Sequence, residues 1–315
     1  MTTRALALSA TLAAGTIALA AQQPTFRSQA DAVFVDVSVL DGRRVVTGLT
    51  AADFELRDNG QLQTLTDVSR ESMPVDATML VDVSTSARLQ LGTALDGLSQ
   101  ATRGLMRPGD RVETRVFGAE ILDEPAWDGR RLGSWTTARA TAYQRDEGGT
   151  SLFDALIACL IRPAPSGFRR LIVLLSDGAD TTSFTTRATR IAILRRSDSV
   201  VDVIGLDAQS GTIAISGNMD ASGITTSESH FVGDYAYLLQ ELADLSGGRN
   251  FNLHRDGSIV SSLAGAIEEF RTRYVLRYTP SGVSRDGWHD LSVRVKGRKY
   301  DVRARKGYAV GLPLN

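Results

Sequence analysis

The middle of the chain alternates short apolar runs with segments of helical period. The apolar runs are typical of strands that are buried on both faces of a parallel sheet, and they span 77–83, 171–175 and 200–206, with a further strand at 111–117. The helical segments repeat apolar residues at three- and four-residue intervals, and they span 87–106, 151–161, 186–196, 235–245 and 258–272. Strands that alternate with helices predict an α/β fold with a doubly wound, mostly parallel, Rossmann-like sheet.

Both ends of the chain show the apolar and polar alternation of half-buried strands. The N-terminal strands are predicted at 32–40, 44–46, 54–56 and 62–68, and the C-terminal ones at 274–278, 288–295 and 300–304. Each group is too small to enclose a core alone. We therefore expect residues 22–73 and 271–315 to pair in one small β-sandwich, with the α/β segment 74–270 inserted between them. Two independent β appendages are the alternative.

The first 21 residues have the layout of a secretory signal peptide. Arg4 precedes an alanine-rich apolar run that ends in the small residues Ala18-Leu19-Ala20. The alternative is a membrane anchor, but the run is shorter than the roughly 20 residues that a span requires. We expect cleavage near Ala20 or Ala21, no membrane span afterwards, and a mature protein that is periplasmic or secreted.

The amino-acid composition excludes several classes of function. The 35 basic and 36 acidic residues leave a formal charge of −1, so nothing in the balance calls for a nucleic-acid partner. The single cysteine, Cys159, excludes an internal disulfide and a cysteine-based zinc cluster, and we expect it in the core. Three scattered histidines make a histidine-rich metal site equally improbable, and we expect them to be surface or structural residues.

Short oxygen-bearing side chains follow two of the predicted strands and precede one of the predicted helices. Asp82, Ser84 and Ser86 come after the first buried strand, Thr150 follows two glycines before a helix, and Asp177 ends a later strand. Ligands of open α/β sheets bind at the carboxyl ends of the strands, where these loops would converge. Such oxygens suit a hard divalent cation. Taken singly, each residue could instead be a helix cap or a turn residue.

The spacing Asp-x-Ser-x-Ser, Gly-Gly-Thr and Ser-Asp-Gly resembles the metal-ion-dependent adhesion site of von Willebrand factor type A (VWA) domains, over about residues 74–270. The resemblance implies that Asp82 reaches the metal mainly through water. It also implies hydroxyl ligands from Ser84, Ser86 and Thr150, and a water-bridged carboxylate from Asp177. The implied cofactor is Mg²⁺, with Mn²⁺ or Ca²⁺ as alternatives.

The flanks resemble a bacterial exported group of VWA-related proteins. The resemblance rests on a Leu-x-x-x-Asp-Phe segment, here Leu49 to Phe54, and on an arginine, glycine and tyrosine ending, here Arg305 to Tyr308 with one lysine interposed.

Common catalytic signatures are absent from the sequence. It has no Gly-x-Ser-x-Gly elbow, His-Glu-x-x-His helix, phosphate loop or dinucleotide-binding glycine motif. We expect a non-catalytic binding module whose metal captures an Asp or Glu of a protein partner, in adhesion or envelope assembly. The alternatives are an envelope component that the metal merely stabilises, and a metal-dependent hydrolase. The Ser/Thr/Gly-rich segment 209–233 is either a surface loop near the site or a neutral insertion. The partner's identity and the oligomeric state stay open.

Overall fold

The computed structural model describes residues 32–70, 73–84, 87, 98, 104–122, 149–162, 164–206, 235–253 and 258–311. The predicted signal peptide, Ser86, most of the predicted helix at 87–106 and the segment 209–233 lie outside these residues. Within the described part, the strands are β1 (Val33–Asp41), β2 (Arg44–Val45), β3 (Phe54–Asp58), β4 (Gln61–Gln63), β5 (Leu65–Ser69), β6 (Val75–Asp82), β7 (Arg111–Phe117), β8 (Ile121–Leu122), β9 (Arg169–Ser176), β10 (Val200–Gly205), β11 (Asn250–Asn252), β12 (Tyr274–Tyr278), β13 (Gly287–Val295), β14 (Asp301–Ala304) and β15 (Gly307–Val310). The helices are α1 (Leu152–Leu160), α2 (Arg187–Arg196), α3 (Tyr235–Ser246) and α4 (Ile259–Arg271).

The apolar runs of the middle segment form a six-stranded sheet in the order β11-β10-β9-β6-β7-β8. All neighbours in this sheet are parallel except β7 and β8. One core cluster joins the sheet to α4, and a second joins its opposite face to α1, α2 and α3. Helices on both faces leave strand β9 buried along its whole length, which explains its apolar run at 171–175. The predicted α/β class is confirmed.

The two ends of the chain form antiparallel sheets together. One has the order β14-β1-β12-β5, with β2 paired to β1, and the other has the order β15-β13-β3-β4. Val35 of β1 is opposite Leu276 of β12, and Leu56 of β3 is opposite Val293 of β13. A single core cluster contains buried residues from β1, β3, β12, β13 and β15. N-terminal and C-terminal strands thus bury their apolar faces against one another.

Several strand predictions need correction. The predicted strand at 62–68 is two strands, β4 and β5, because the chain leaves one antiparallel sheet at residue 64 and enters the other. Strands β8, β11 and β15 were not predicted. Strands β8 and β11 have only two and three residues, too few to show a period. Strand β15 begins with a glycine, a residue that is depleted in strands and therefore does not indicate one.

The two flank motifs have structural explanations. The Asp53 carboxylate accepts hydrogen bonds from the backbone N–H and the hydroxyl of Thr50, at 2.7 and 2.8 Å, which fixes the turn before the buried Phe54. At the other end, a Cβ on Gly307 would lie 2.2 Å from the carbonyl oxygen of His289 and from the Trp288 ring. Only glycine therefore allows β15 to approach β13 so closely.

No helix in the described ranges is both long and apolar enough to cross a membrane.

Candidate metal centre

Asp82 is the last residue of β6 and is completely buried. Its Oδ1 accepts a hydrogen bond from the backbone N–H of Ser84 at 2.9 Å, and its Oδ2 accepts one from the Ser176 hydroxyl at 2.6 Å. The Ser176 oxygen in turn accepts from the backbone N–H of Gly178 at 3.0 Å. Both carboxylate oxygens of Asp82 are therefore oriented by strand-end groups of β6 and β9.

The environment of Asp82 disfavours its charged form. Burial is the main cause that raises the pKa of Asp82 to about 6. Hydrogen bonds from Ser176 and Ser84 oppose that rise, and the negative charge of Asp177 adds to it. Two carboxylates at a buried edge, with one made weakly acidic, form an arrangement that a nearby cation stabilises.

Asp177 follows Ser176 at the carboxyl end of β9 and is 6% exposed. Its Oδ1 accepts a hydrogen bond from the backbone N–H of Ala179 at 3.0 Å. Gly178 between them has φ of +88°, in the left-handed region, where a Cβ would be strained. This tight turn holds the Asp177 carboxylate at the edge where Asp82 lies.

Thr150 is brought to the same edge by backbone hydrogen bonds. Its carbonyl oxygen accepts from the backbone N–H groups of Thr181 and Thr182, at 2.8 and 3.0 Å. Its own N–H donates to the Thr181 hydroxyl at 2.8 Å. The next residue, Ser151, donates its N–H to the carbonyl oxygen of Gly118 at 2.7 Å, which ties the loop before α1 to the end of β7.

Four of the five predicted site residues, Asp82, Ser84, Thr150 and Asp177, thus lie in loops that meet at the carboxyl ends of β6, β7 and β9. The backbone N–H of Val83 completes the junction by donating to the Phe117 carbonyl oxygen at 2.8 Å. The fifth residue, Ser86, lies outside the described residues.

The donor set fits a hard divalent cation. It consists of carboxylate and hydroxyl oxygens, the groups that Mg²⁺ accepts, and contains no thiolate or imidazole. The described ranges contain no group of three or more His, Cys, Asp or Glu side chains placed to hold a metal. Among the described residues, Asp82 and Asp177 are the carboxylates at this edge, and a cation there would also use hydroxyls, water and an outside ligand.

Two further residues of the site were not among the predicted ligands. Ser176 orients Asp82, and its signal in the sequence is a hydroxyl directly after the apolar run 171–175 of a buried strand. Gly149 is the second, because a Cβ at this position would lie 2.2 Å from Cγ2 of Thr182 and 2.6 Å from Oγ1 of Thr181. The absence of a side chain there allows the Thr150 loop to approach the 181–182 loop.

Gly149→Ala is expected to displace the Thr150 loop and to weaken Mn²⁺ binding by at least tenfold, roughly 1.4 kcal/mol. Titration of the purified variant with Mn²⁺, followed by electron paramagnetic resonance of the free ion, measures this affinity. Gly104→Ala is the matched control, because a Cβ there meets nothing within 4 Å. Equal Mn²⁺ affinity of the Gly149 variant and the control would contradict the role of Thr150.

Asp154 and Asp180 brace the loop that follows β9. The Asp154 carboxylate accepts from the backbone N–H of Phe184 at 2.8 Å and from the hydroxyl of Thr185 at 2.6 Å. Burial opposes ionisation of Asp154, but these hydrogen bonds outweigh it and hold its pKa below the ordinary value. Asp180 forms an ion pair with Arg190 at 3.3 Å. Both aspartates therefore stabilise this loop.

Cys159 and His289 lie in cores and away from this edge. Cys159 is buried in α1, and burial raises its thiol pKa to about 11, so it is a neutral thiol at physiological pH. Nδ1 of His289 lies 2.8 Å from the buried carboxylate of Asp58, whose other oxygen accepts hydrogen bonds from Tyr278 and Tyr308, each at 2.8 Å. Sequence reasoning missed this polar cluster in the antiparallel core.

No family model and no curated protein matches the chain. The solved structures that resemble it include an aerotolerance-related membrane protein from Bacteroides fragilis, at 18% identity and a TM-score of 0.40, over 62% of this chain and 98% of that one. They also include the conserved hypothetical protein BatB from Bacteroides thetaiotaomicron, at 18% identity and a TM-score of 0.41, over 62% and 96%. A third is a von Willebrand factor type A protein from Catenulispora acidiphila, at 13% identity and a TM-score of 0.41, over 87% and 71%. At this distance the neighbours assign no function to the chain.

Proposed function

We propose that this protein is an exported, non-catalytic VWA-type binding module that uses Mg²⁺ to capture an Asp or Glu side chain of a protein partner. In this proposal residues 74–270 form the VWA domain, and the two flanking segments form a β-sandwich into which it is inserted. Residues 1–21 direct export, which places the partner in the periplasm or outside the cell.

The observation that carries the proposal is the meeting of three separate loops at one edge of the parallel sheet. Asp82, Ser84, Thr150 and Asp177 contribute carboxylates and hydroxyls there, and Ser86 would contribute a further hydroxyl. A bound cation would supply positive charge and a coordination position for an outside carboxylate. Ser176 and the N–H of Ser84 hold the Asp82 carboxylate in one orientation, so the edge is organised before a ligand arrives.

The same geometry argues against a hydrolase that uses a side chain of this edge as its nucleophile. A nucleophile must reach its substrate and needs a base within hydrogen-bond distance. Asp82 and Ser176 are completely buried and bonded to each other. His289, the histidine within the described ranges, pairs with Asp58 in the antiparallel core. Among the described residues, the edge therefore suits binding better than covalent catalysis by a side chain.

Retention of proteins from envelope extracts on the immobilised, mature protein tests the proposal. We expect Mg²⁺ to retain a partner that EDTA releases, and Asp82→Ala to reduce retention by at least tenfold, because the variant lacks the carboxylate that orients the metal. Asp67→Ala, an exposed aspartate on β5, is the control.

Retention that is unchanged in EDTA and in the Asp82 variant would contradict the proposal. If Mg²⁺ instead raised the melting temperature without altering retention, the metal would have only a stabilising role, as in an envelope scaffold.

A further inference from the structure

Phe184 is almost entirely exposed to solvent, with 96% of its surface accessible. It lies in the loop between β9 and α2, the loop that also carries Asp177. A single exposed apolar residue is common on protein surfaces and has no meaning alone. Two further observations indicate a binding role for Phe184: hydrogen bonds hold the backbone of its loop in place, and an apolar groove lies beside the loop.

The loop around Phe184 is held in place by side chains from two helices. Asp154 of α1 accepts hydrogen bonds from the backbone N–H groups of Phe184 and Thr185. Arg190 of α2 donates its Nε–H to the Thr185 hydroxyl at 3.2 Å and pairs with Asp180. The exposed ring is thus carried on a fixed backbone. A fixed backbone lowers the entropy that a contact through this ring would cost.

An apolar groove adjoins this loop. Its cavity measures about 80 Å³, several times the roughly 10–15 Å³ that one water requires, and so it can accept part of an apolar side chain. Its lining residues come from α1, α2 and α3; they include the apolar Phe153, Ile191, Leu194 and Leu242, together with Arg190. Arg190 connects the groove to the loop. Its Nε–H donates to the Thr185 hydroxyl of the loop, and its guanidinium lies 3.9 Å from the centre of the Phe153 ring in the groove.

Phe184 lies close along the chain to the edge that holds the candidate metal centre. The backbone N–H of Thr182 donates to the carbonyl oxygen of Thr150 at 3.0 Å. Phe184 follows Thr182 by two residues, a chain length of at most about 7 Å. A polypeptide segment bound at the metal edge can therefore also reach Phe184, whose loop contacts the groove through Arg190.

We propose that Phe184 and this groove bind an apolar side chain on the same partner segment that presents its acidic residue to the metal. The inference rests on the function proposed above and specifies the partner as an acidic segment with an apolar residue at a fixed distance from the Asp or Glu. Continuity with the metal edge favours such a segment over a second copy of this chain, which would place Phe184 of one molecule in the groove of another.

Selection from a random peptide display library, carried out in Mg²⁺ and in EDTA, tests the inference. The immobilised proteins are wild type, Phe184→Ala, Phe184→Leu and Leu62→Ala. Leu62 is the matched control, because it is an exposed apolar residue on β4 in a different sheet. Mn²⁺ titration and the molar mass in solution are measured for each variant.

We expect the Mg²⁺-dependent peptides of wild type and of the Leu62 variant to share an acidic residue and an apolar residue at constant spacing. Phe184→Ala should keep the acidic preference, lose the apolar one, and bind the wild-type peptides at least tenfold more weakly with unchanged Mn²⁺ affinity. Phe184→Leu should restore part of the affinity, because it restores apolar area.

Acidic peptides without an apolar preference, or with one that Phe184→Ala leaves intact, would overturn the inference and leave the proposed function standing. A fall in molar mass on Phe184→Ala without a change in peptide preference would also overturn it, since Phe184 would then join two copies of the chain. Selection that is identical in Mg²⁺ and EDTA would contradict the proposed function itself, and the inference with it.

Discussion

In EDTA at neutral pH, Asp82→Asn is expected to be more stable than the wild-type protein. Burial raises the pKa of Asp82 to about 6 from an ordinary value of 3.8, so the folded state at neutral pH holds a buried charge that the unfolded state solvates better. A shift of about two pKa units corresponds to about 3 kcal/mol. The melting temperature of the variant should rise by roughly 2–4 °C for each kcal/mol gained.

The amide can replace the carboxylate without losing its partners. The carbonyl oxygen of an asparagine at position 82 can accept from the N–H of Ser84, and its amide group can donate to the Ser176 hydroxyl oxygen. Both groups are hydrogen-bonded to the Asp82 carboxylate. Repulsion from Asp177 disappears at the same time. A helix-capping or turn-forming aspartate would behave in the opposite way, because its charge would stabilise the fold.

The gain should depend on pH with a defined sign. Below about pH 4, Asp82 is protonated in both the folded and the unfolded state, so the variant gains little. Between about pH 4 and pH 6 the folded state binds more protons, and the stability of the metal-free wild type falls as the pH rises. Above about pH 6 the difference between variant and wild type should be constant. Thermal unfolding in EDTA across this range measures it, with Asp67→Asn as the control.

A lower melting temperature for Asp82→Asn than for wild type in EDTA would show that the charge of Asp82 stabilises the fold. The interpretation of this residue as a metal-site carboxylate that costs stability would then be wrong.

Asp58→Ala is expected to cause the largest loss of stability, about 3–5 kcal/mol. The carboxylate is completely buried at the end of β3, and its removal takes away the partner that the hydroxyls of Tyr278 and Tyr308 and Nδ1 of His289 share. Burial, the larger cause, and the hydrogen bond to Asp58 raise the pKa of Tyr308 to about 12, while the hydrogen bond from Tyr278 opposes the rise. Both tyrosines are therefore neutral donors at physiological pH. Urea unfolding in EDTA measures the loss independently of any metal.

Asp67→Ala, on the exposed side of β5, should change stability by no more than about 0.5 kcal/mol. A similarly small effect of Asp58→Ala would mean that the N-terminal and C-terminal strands do not share a tightly packed core.

The parallel sheet could be predicted because its strands have a simple physical signature. Strand β7 is predicted at its observed bounds, and β9 extends the prediction by two residues at its start and one at its end. Burial on both faces requires apolar residues at consecutive positions, and this is visible without knowledge of the neighbours. Strands of two or three residues, such as β8 and β11, gain their structure from pairing alone and leave no comparable pattern.

The candidate site was predictable in its residues but not in its supporting contacts. Asp82, Thr150 and Asp177 stand out because each is a short polar residue next to an apolar run or a helix. Ser176 has the same signature. The bond from Ser176 to Asp82 joins residues 94 positions apart, and only the pairing of β6 with β9 creates it.

The Asp58 cluster could have been found in part. Alternation along β3 places Asp58 on the same face as the buried Phe54 and Leu56, and alternation along β13 places His289 on the face of the buried Leu291 and Val295. Each pattern indicates a buried polar residue in need of a partner. Neither indicates that the two partners are each other, because Asp58 and His289 are 231 residues apart.

The central claim is that a divalent cation binds at the carboxyl edge of the parallel sheet. Its most direct test is an anomalous difference map from crystals of the mature protein grown with Mn²⁺. The account predicts one strong peak among Asp82, Ser84, Ser86, Thr150 and Asp177, which is lost in Asp82→Asn crystals grown under the same conditions. A map with no peak at this edge, or with a peak that persists in the variant, would contradict it.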